Sequence, residues 1–319
     1  MNSKHIALSV LAFVLVHAMP AQAQLARTFL SANGSDANDC ARTAPCRTLQ
    51  VAHDKTNAGG EINMLDPAGF GRVVIQKAIS IVNDGVGSAG ILVPASSTGI
   101  RIVAGNNDKI NLRGLIIEGG GIGEYGIVFQ SGKSLTIQNS VIRNMTISGI
   151  AVIPSASFTT STLAVSDTYI ANNGSHGVVI QPVGSNVGVQ ALFNRVEVYN
   201  NGGHGIGLYA NLVSNQGGIP RRDVEAAVVD SVSAYNGGSG FYAFNDPAEH
   251  YFATLLSISR STSTFNEGFG IEASGLEVFL YFGQSMISDG ARQLNGAEVW
   301  SYGDNYMQRV TAPRLAPKS

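Results

Sequence analysis

Asn173-Gly174-Ser175-His176-Gly177, Asn201-Gly202-Gly203-His204-Gly205, Asn236-Gly237-Gly238-Ser239-Gly240 and Asn266-Glu267-Gly268-Phe269-Gly270 are four versions of one five-residue phrase. Each runs from Asn to Gly and passes straight into an apolar strand that starts at Val178, Ile206, Phe241 or Ile271. The same Gly-to-apolar junction occurs at Gly99-Ile100, Gly126-Ile127 and Gly149-Ile150, so that the junctions follow one another at spacings of 27, 23, 28, 28, 35 and 30 residues. A period in this range marks a stacked array. The uneven spacing around a constant junction places the variation in loops, while each coil keeps its strands.

Stacking aligns the Asn residues into a ladder beginning near residue 172, with Met145 in the same place one coil earlier. Asn tolerates left-handed backbone, and its amide bonds to the amides above and below, satisfying turn groups that are otherwise stranded. Between the Gly junctions lie period-2 runs such as Leu135, Ile137 and Val141, or Leu163, Val165 and Tyr169, or Ala227, Val229 and Val232. A polar residue interrupts each run, at Asn139, Asp167, Asn194 and Asp230. One coil therefore reads strand, polar bend, strand, Asn turn, strand, variable loop. The prediction is an all-β, right-handed parallel β-helix solenoid of about seven or more coils with three parallel sheets. The buried face of each strand contributes roughly 1.5 to 3 kcal/mol per aliphatic side chain.

This arrangement resembles the right-handed β-helix, or pectin-lyase-like, superfamily of pectate lyases, polygalacturonases, alginate epimerases and related exported bacterial proteins. The resemblance covers about Gly60 to Asn305. It implies the fold; activity must be argued from a site. Gly203-His204-Gly205 is similar to the Gly-His-Gly element of polygalacturonase-type hydrolases, but the Asn-Thr-Asp, Asp-Asp and Arg-Ile-Lys elements that accompany it in that family do not occur here. Without a carboxylate pair around the scissile bond an inverting hydrolase is disfavoured.

Lys4 and His5, the apolar run from Ile6 to Val16 and the small-x-small site Ala21-Gln22-Ala23 read as a signal peptide over residues 1–23. The run is far short of the ~20 residues that span a bilayer, so no membrane insertion is expected. Removal of Lys4 with the leader leaves 19 Lys and Arg against 22 Asp and Glu, which gives no basic footprint for a nucleic acid. Export, to the periplasm or beyond the cell, makes Cys40 and Cys46 a disulfide, inside an amino-terminal cap over residues 24–59. Thr48 to Thr56 is the one expected helix, with Leu49, Ala52 and His53 on one face and able to lie across the mouth of the tube. The solenoid is placed at residues 60–305, a loose tail at residues 306–319, and the molecule is expected to be a monomer.

Alternation along the Gly-anchored strands puts Gly207, Tyr209, Tyr242 and Phe244 outside the tube and aligns Gln181, Tyr209 and Phe244 in one column, Val179, Gly207, Tyr242 and Glu272 in the next. Exposed rings on a rigid sheet suit the apolar faces of sugars. The following loops carry Arg221, Arg222 and Asp223, then Asp246, Glu249 and His250. Paired arginines read carboxylates through forked hydrogen bonds, so an acidic polysaccharide is the expected partner.

His176 and His204 fall one above the other, at a place that Ser148 and Ser239 fill in flanking coils, so a polar turn position is favoured over a metal site. No metal and no required cofactor are read, and Ca2+ is left open. If there is chemistry, it is that of a uronate lyase or C5-epimerase, with His250 or His204 as base, Tyr242 as acid and Arg222 neutralising the carboxylate. Asn245-Asp246-Pro247-Ala248-Glu249-His250 is faintly similar to the Asp-Pro-His-Asp element of alginate epimerases, with His and the second acid displaced. The favoured function is polysaccharide binding without turnover. A surface scaffold or adhesin making protein contacts is the third reading.

Overall fold

The computed structural model describes residues 25–155, 159–183, 187–210, 223–245, 253–308 and 314–315. They wind into a right-handed parallel β-helix with three faces, each coil hydrogen-bonded in register to the next. The first face includes Thr56–Met64, Ile79–Val82, Lys109–Arg113 and Ser134–Gln138, and the second includes Ala89–Leu92, Leu115–Glu118 and Val141–Arg143. In two coils the first two faces join in single strands, Thr160–Ala171 and Gly188–Tyr199. The third face holds the Gly-anchored strands.

Third-face register runs Ile100, Ile127, Ile150, Val178, Ile206, Phe241, Ile271, the alignment that the Gly junctions require. All seven side chains are fully buried and form one apolar column inside the tube. Among the described residues this face has nine strands. The two beyond the seven junctions are Val73–Ile75, which Arg72 rather than Gly precedes, and Ala291–Leu294, whose Gly290 follows Gly270 too closely to register as a coil.

The anchoring glycines are required by proximity and not by backbone angle. A Cβ on Gly126, Gly177 or Gly205 would lie 2.6, 2.7 or 2.6 Å from the carbonyl oxygen of the next anchoring glycine. Any side chain would wedge the coils apart.

The Asn ladder exists, and its chemistry differs in one respect from the expectation. Asn173 Nδ2 donates to Asn201 Oδ1 at 2.8 Å, Asn201 Nδ2 to Asn236 Oδ1 at 2.9 Å and Asn236 Nδ2 to Asn266 Oδ1 at 2.9 Å. Each Oδ1 also accepts the backbone N–H of the ladder residue one coil earlier, beginning with Met145. Asp289 ends the row by accepting from Asn266 Nδ2 at 3.1 Å. The left-handed residue is the one before each ladder position, namely Asn144, Asn172, Asn200, Tyr235 and Phe265. Ladder asparagines are bought inward by that turn and are buried by it.

The other corner bends at Asn139, Asp167 and Asp230 as expected and is shifted by one residue in a single coil. Its left-handed residues are Asn139, Asp167, Arg195, Asp230, Arg260 and Gln284, so the bend falls on Arg195 and not on Asn194, which continues the strand paired with Ser166. Arg195 grips Asp167 at 2.6 and 2.9 Å, and Arg260 grips Asp230 at 2.8 and 3.1 Å. Exposed to solvent, these pairs contribute little to stability.

The helix Leu49–Lys55 buries Leu49, Ala52 and His53, as its pattern requires. Gln50 Oε1 accepts the N–H of Val74 and His53 Nε2 that of Gln76, so the helix satisfies the open edge of the first third-face strand. Cys40 and Cys46 form the disulfide. Parallel stacking already includes Leu25–Leu30, which pairs with Thr56–Met64 inside the segment read as a cap. After Glu298–Ser301 it continues through Tyr306–Met307 and Arg314–Leu315.

Asn236→Ala removes one ladder amide and strands the Nδ2 and backbone N–H of Asn201 in a buried turn. A loss of about 3 kcal/mol is expected, read from the urea midpoint. A loss below roughly 0.5 kcal/mol would show that the ladder is not holding the turn.

Candidate functional site

Three columns on the third face converge on the coils of Ile206–Tyr209, Phe241–Phe244 and Ile271–Ser274. The first column is the turn position before each anchoring glycine, where Ser148, His176, His204, Ser239 and Phe269 succeed one another. The second is Val179, Gly207, Tyr242, Glu272 and Arg292, in the register that the alignment of junctions gives. Tyr209 and Phe244 pair in the third.

The turn column is tied together through the backbone. His176 Nδ1 accepts the N–H of His204 at 3.0 Å, His204 Nδ1 accepts that of Ser239 at 2.8 Å, and Ser239 Oγ accepts that of Phe269 at 3.1 Å. A nitrogen that accepts from an amide carries no proton, so each neutral ring holds its hydrogen on Nε2. Burial lowers both imidazoles below the usual histidine range, and the neighbouring His204 adds to the effect on His176, which falls to about 4. The rings lie parallel with centroids 5.4 Å apart.

Tyr242 stacks on His204 at 4.1 Å and 3°, and Phe244 lies 6.2 Å beyond it, tilted by 8°. Tyr209 crosses this row at 5.4 Å from Tyr242, 6.2 Å from Phe244 and 5.8 Å from His176. Its hydroxyl reaches His176 Nε2 at 3.5 Å. It takes that position because Gly207 lies beneath, where a Cβ would meet its ring at 2.8 Å. The platform is thus partly packed on itself, and Tyr209, Tyr242 and Phe244 are half-buried rather than freely exposed. Burial, with Tyr242 and Glu272 adding, pushes the Tyr209 phenol up; burial and Glu272 push Tyr242 to about 12.

Polar residues close the carboxy-terminal end of the strip. Ser239 Oγ donates to Glu272 Oε2 at 2.5 Å, and Arg292 Nη1 stands 3.7 Å from Glu272 Oε1 with its guanidinium over the Phe269 ring at 5.0 Å. Arg292 and Phe269 were not read as site residues. Arg292 is hidden behind the short step from Gly270 to Gly290, which conceals a further coil in register, whereas Phe269 stands in the repeated phrase at a position that other coils fill with Ser or His.

The structure brings His176, His204, Tyr209, Tyr242, Phe244 and Glu272 together. Asp223 is placed elsewhere, at the start of a first-face strand, where its Oδ1 accepts the N–H of Ala253 at 2.9 Å and so stitches two coils. Arg221, Arg222, Asp246, Glu249 and His250 lie outside the described residues. Among the described residues no three His, Cys, Asp or Glu side chains are grouped as a metal site requires.

No protein-family model and no curated protein sequence matches the chain. Among solved structures it is similar to pectate lyase Pel9A, at 14% identity over 92% of this chain and 78% of that one, with a TM-score of 0.60. It is similar also to XylC, solved in complex with xylose, at 9% identity over 84% and 69%, with a TM-score of 0.56. The A-module of the Azotobacter vinelandii mannuronan C-5 epimerase AlgE6 aligns at 13% identity over 85% and 95%, with a TM-score of 0.48. At such identities the likeness is one of fold, and it agrees with the stacked faces and ladder found above: this chain has the right-handed parallel β-helix fold.

Proposed function

We propose that this is an exported β-helix protein that binds acidic polysaccharide along the third face, without turning it over. The observation that carries the reading is the contiguous row of His204, Tyr242, Phe244 and Tyr209 on a rigid sheet, ended by Arg292. Aromatic faces suit the C–H faces of sugar rings, and a guanidinium suits a uronate carboxylate. Arg221 and Arg222 extend the same preference from the sequence. Export is supported by the leader-like residues 1–23 and by the disulfide.

The state of the imidazoles favours binding over proton abstraction. With Nδ1 occupied by a backbone N–H, His204 offers a donor from Nε2, whereas a general base needs a free lone pair facing the substrate. Tyr242, held high by burial, is a weak acid near neutrality. His250 and Arg222, on which a lyase or epimerase assignment would rest, lie outside the described residues.

Two outcomes are expected. Native gels cast with alginate or polygalacturonate should retard the full chain, and Tyr242→Ala with Phe244→Ser should weaken that retardation by about tenfold while far-ultraviolet dichroism is kept. Unchanged retardation in the variant would remove the site, and unsaturated products released from either polymer would remove the claim of no turnover.

The second concerns pH. An unfolded histidine takes up its proton near pH 6.5, while folded His176 refuses it until about pH 4, so stability is full above 6.5 and falls as pH drops through that window. The loss from His176 is on the order of 3 kcal/mol, with His204 and the buried His53 acting in the same direction. The urea midpoint should decline from pH 7 to 4.5. His176→Asn with His204→Asn, which keeps an acceptor for the backbone N–H, should flatten the decline; an identical slope would mean that the imidazoles are not held neutral.

A further inference from the structure

The ladder corner carries a second set of outward groups, remote in character from the third-face strip. Its left-handed position is filled by Asn144, Asn172, Asn200, Tyr235 and Phe265 in consecutive coils. At roughly 4.8 Å per coil the row is about 19 Å long. Its first three members line a groove of about 580 Å3, and among the described residues that lining contains no charged side chain.

The amides in the groove are unequal. Asn144 Nδ2 donates to Glu118 Oε1 at 2.7 Å, and Arg143 holds the other carboxylate oxygen at 2.8 Å. Asn172 and Asn200 are exposed, and within the described residues their side-chain amides take no hydrogen bond. Each offers a donor pair and an acceptor to the groove.

The last two members depart from the residue type of the coils before them. Asn tolerates the left-handed backbone best among residues other than Gly, and the three preceding coils use it here, although the opposite corner also places Arg195, Arg260 and Gln284 in that conformation. Tyr235 and Phe265 nevertheless occupy it, 56% and 63% exposed, with their rings stacked at 5.2 Å and 16°. A role in packing would have buried them. Beneath them the buried amides of Asn236 and Asn266 fix the turn, so the rings are presented on a rigid base.

We infer that this corner is a second glycan site, which takes an uncharged polysaccharide chain: hydroxyls pair with the Asn172 and Asn200 amides, and a sugar face stacks on Tyr235 and Phe265. The described groove lining holds no cation to pair with a uronate carboxylate, and the carboxylates of Glu118 and Asp289 stand at the two ends of the row, while the succession from amide to ring chemistry along one axis suits a polymer that carries both hydroxyls and C–H faces. This site is independent of the acidic-glycan reading of the third face.

The test uses the full chain in native gels cast with mixed-linkage β-glucan, arabinoxylan or galactomannan, together with size-exclusion chromatography. Retardation is expected in at least one gel, and Tyr235→Asn with Phe265→Asn should weaken it by about tenfold. Because the double variant restores the residue type used in the earlier coils, its urea midpoint should equal or exceed that of the parent. Loss of stability together with binding would assign the rings to folding and overturn the inference. So would undiminished retardation in the variant, retardation in none of the three gels, or a dimer of the parent chain that the variant dissolves, which would make a second copy the occupant. These gels contain no acidic polymer, so failure here leaves the third-face reading standing or falling on its own experiment.

Discussion

Everything in this molecule depends on how closely one coil approaches the next. Parallel hydrogen bonding sets the rise, and the anchoring glycines permit it, because their missing side chains let one turn rest on the carbonyl of another. Given that rise, any residue repeated at the same point of consecutive coils is brought into contact with itself. Asparagines become a chain of amides, aliphatic side chains a continuous core, histidines and tyrosines a stack of rings. The same constraint that builds the core therefore builds the outer columns, with no separate scaffold for a site.

The architecture is local in its logic, since a coil interacts with its two neighbours and little else. That is why the ends need dedicated structure. At the amino terminus Gln50 and His53 accept N–H groups that a preceding coil would otherwise have taken. Between Gly149 and Gly270 the variation falls in the segments that run from the third face to the first, where the steps from Gly205 to Gly240 and from Gly240 to Gly270 are long. Register on both sides of such a loop is unaffected: Ile206, Phe241 and Ile271 stay aligned.

Much of this was legible in the chain because stacking makes the repeat self-checking. The junctions from Gly99 to Gly270 predicted the third-face register residue by residue, and the outward columns containing Gly207, Tyr242 and Glu272 followed. What could not be read was anything set by turn geometry. Asn194 and Arg195 are both plausible polar bend residues, and the choice depends on which one leaves strand pairing, a matter of backbone angle. The half-burial of Tyr209 was hidden for another reason: a ring can fold back over Gly207, and alternation alone says only that it starts outward. Arg292 was lost because Gly290 follows so soon after Gly270 that the last third-face coil did not look like one.

The row of ladder amides also has a polarity. Every Asn from Asn173 to Asn266 donates toward the carboxy-terminal end and accepts from the other side, so the small dipoles add along the axis as peptide dipoles add in a helix. The positive end of that sum meets the carboxylate of Asp289. A single acid thus serves as both the final acceptor and the counter-charge of the row, and it gives the solenoid a defined direction of termination: an added coil would have to carry Asn in place of Asp289 and move the acid outward with it.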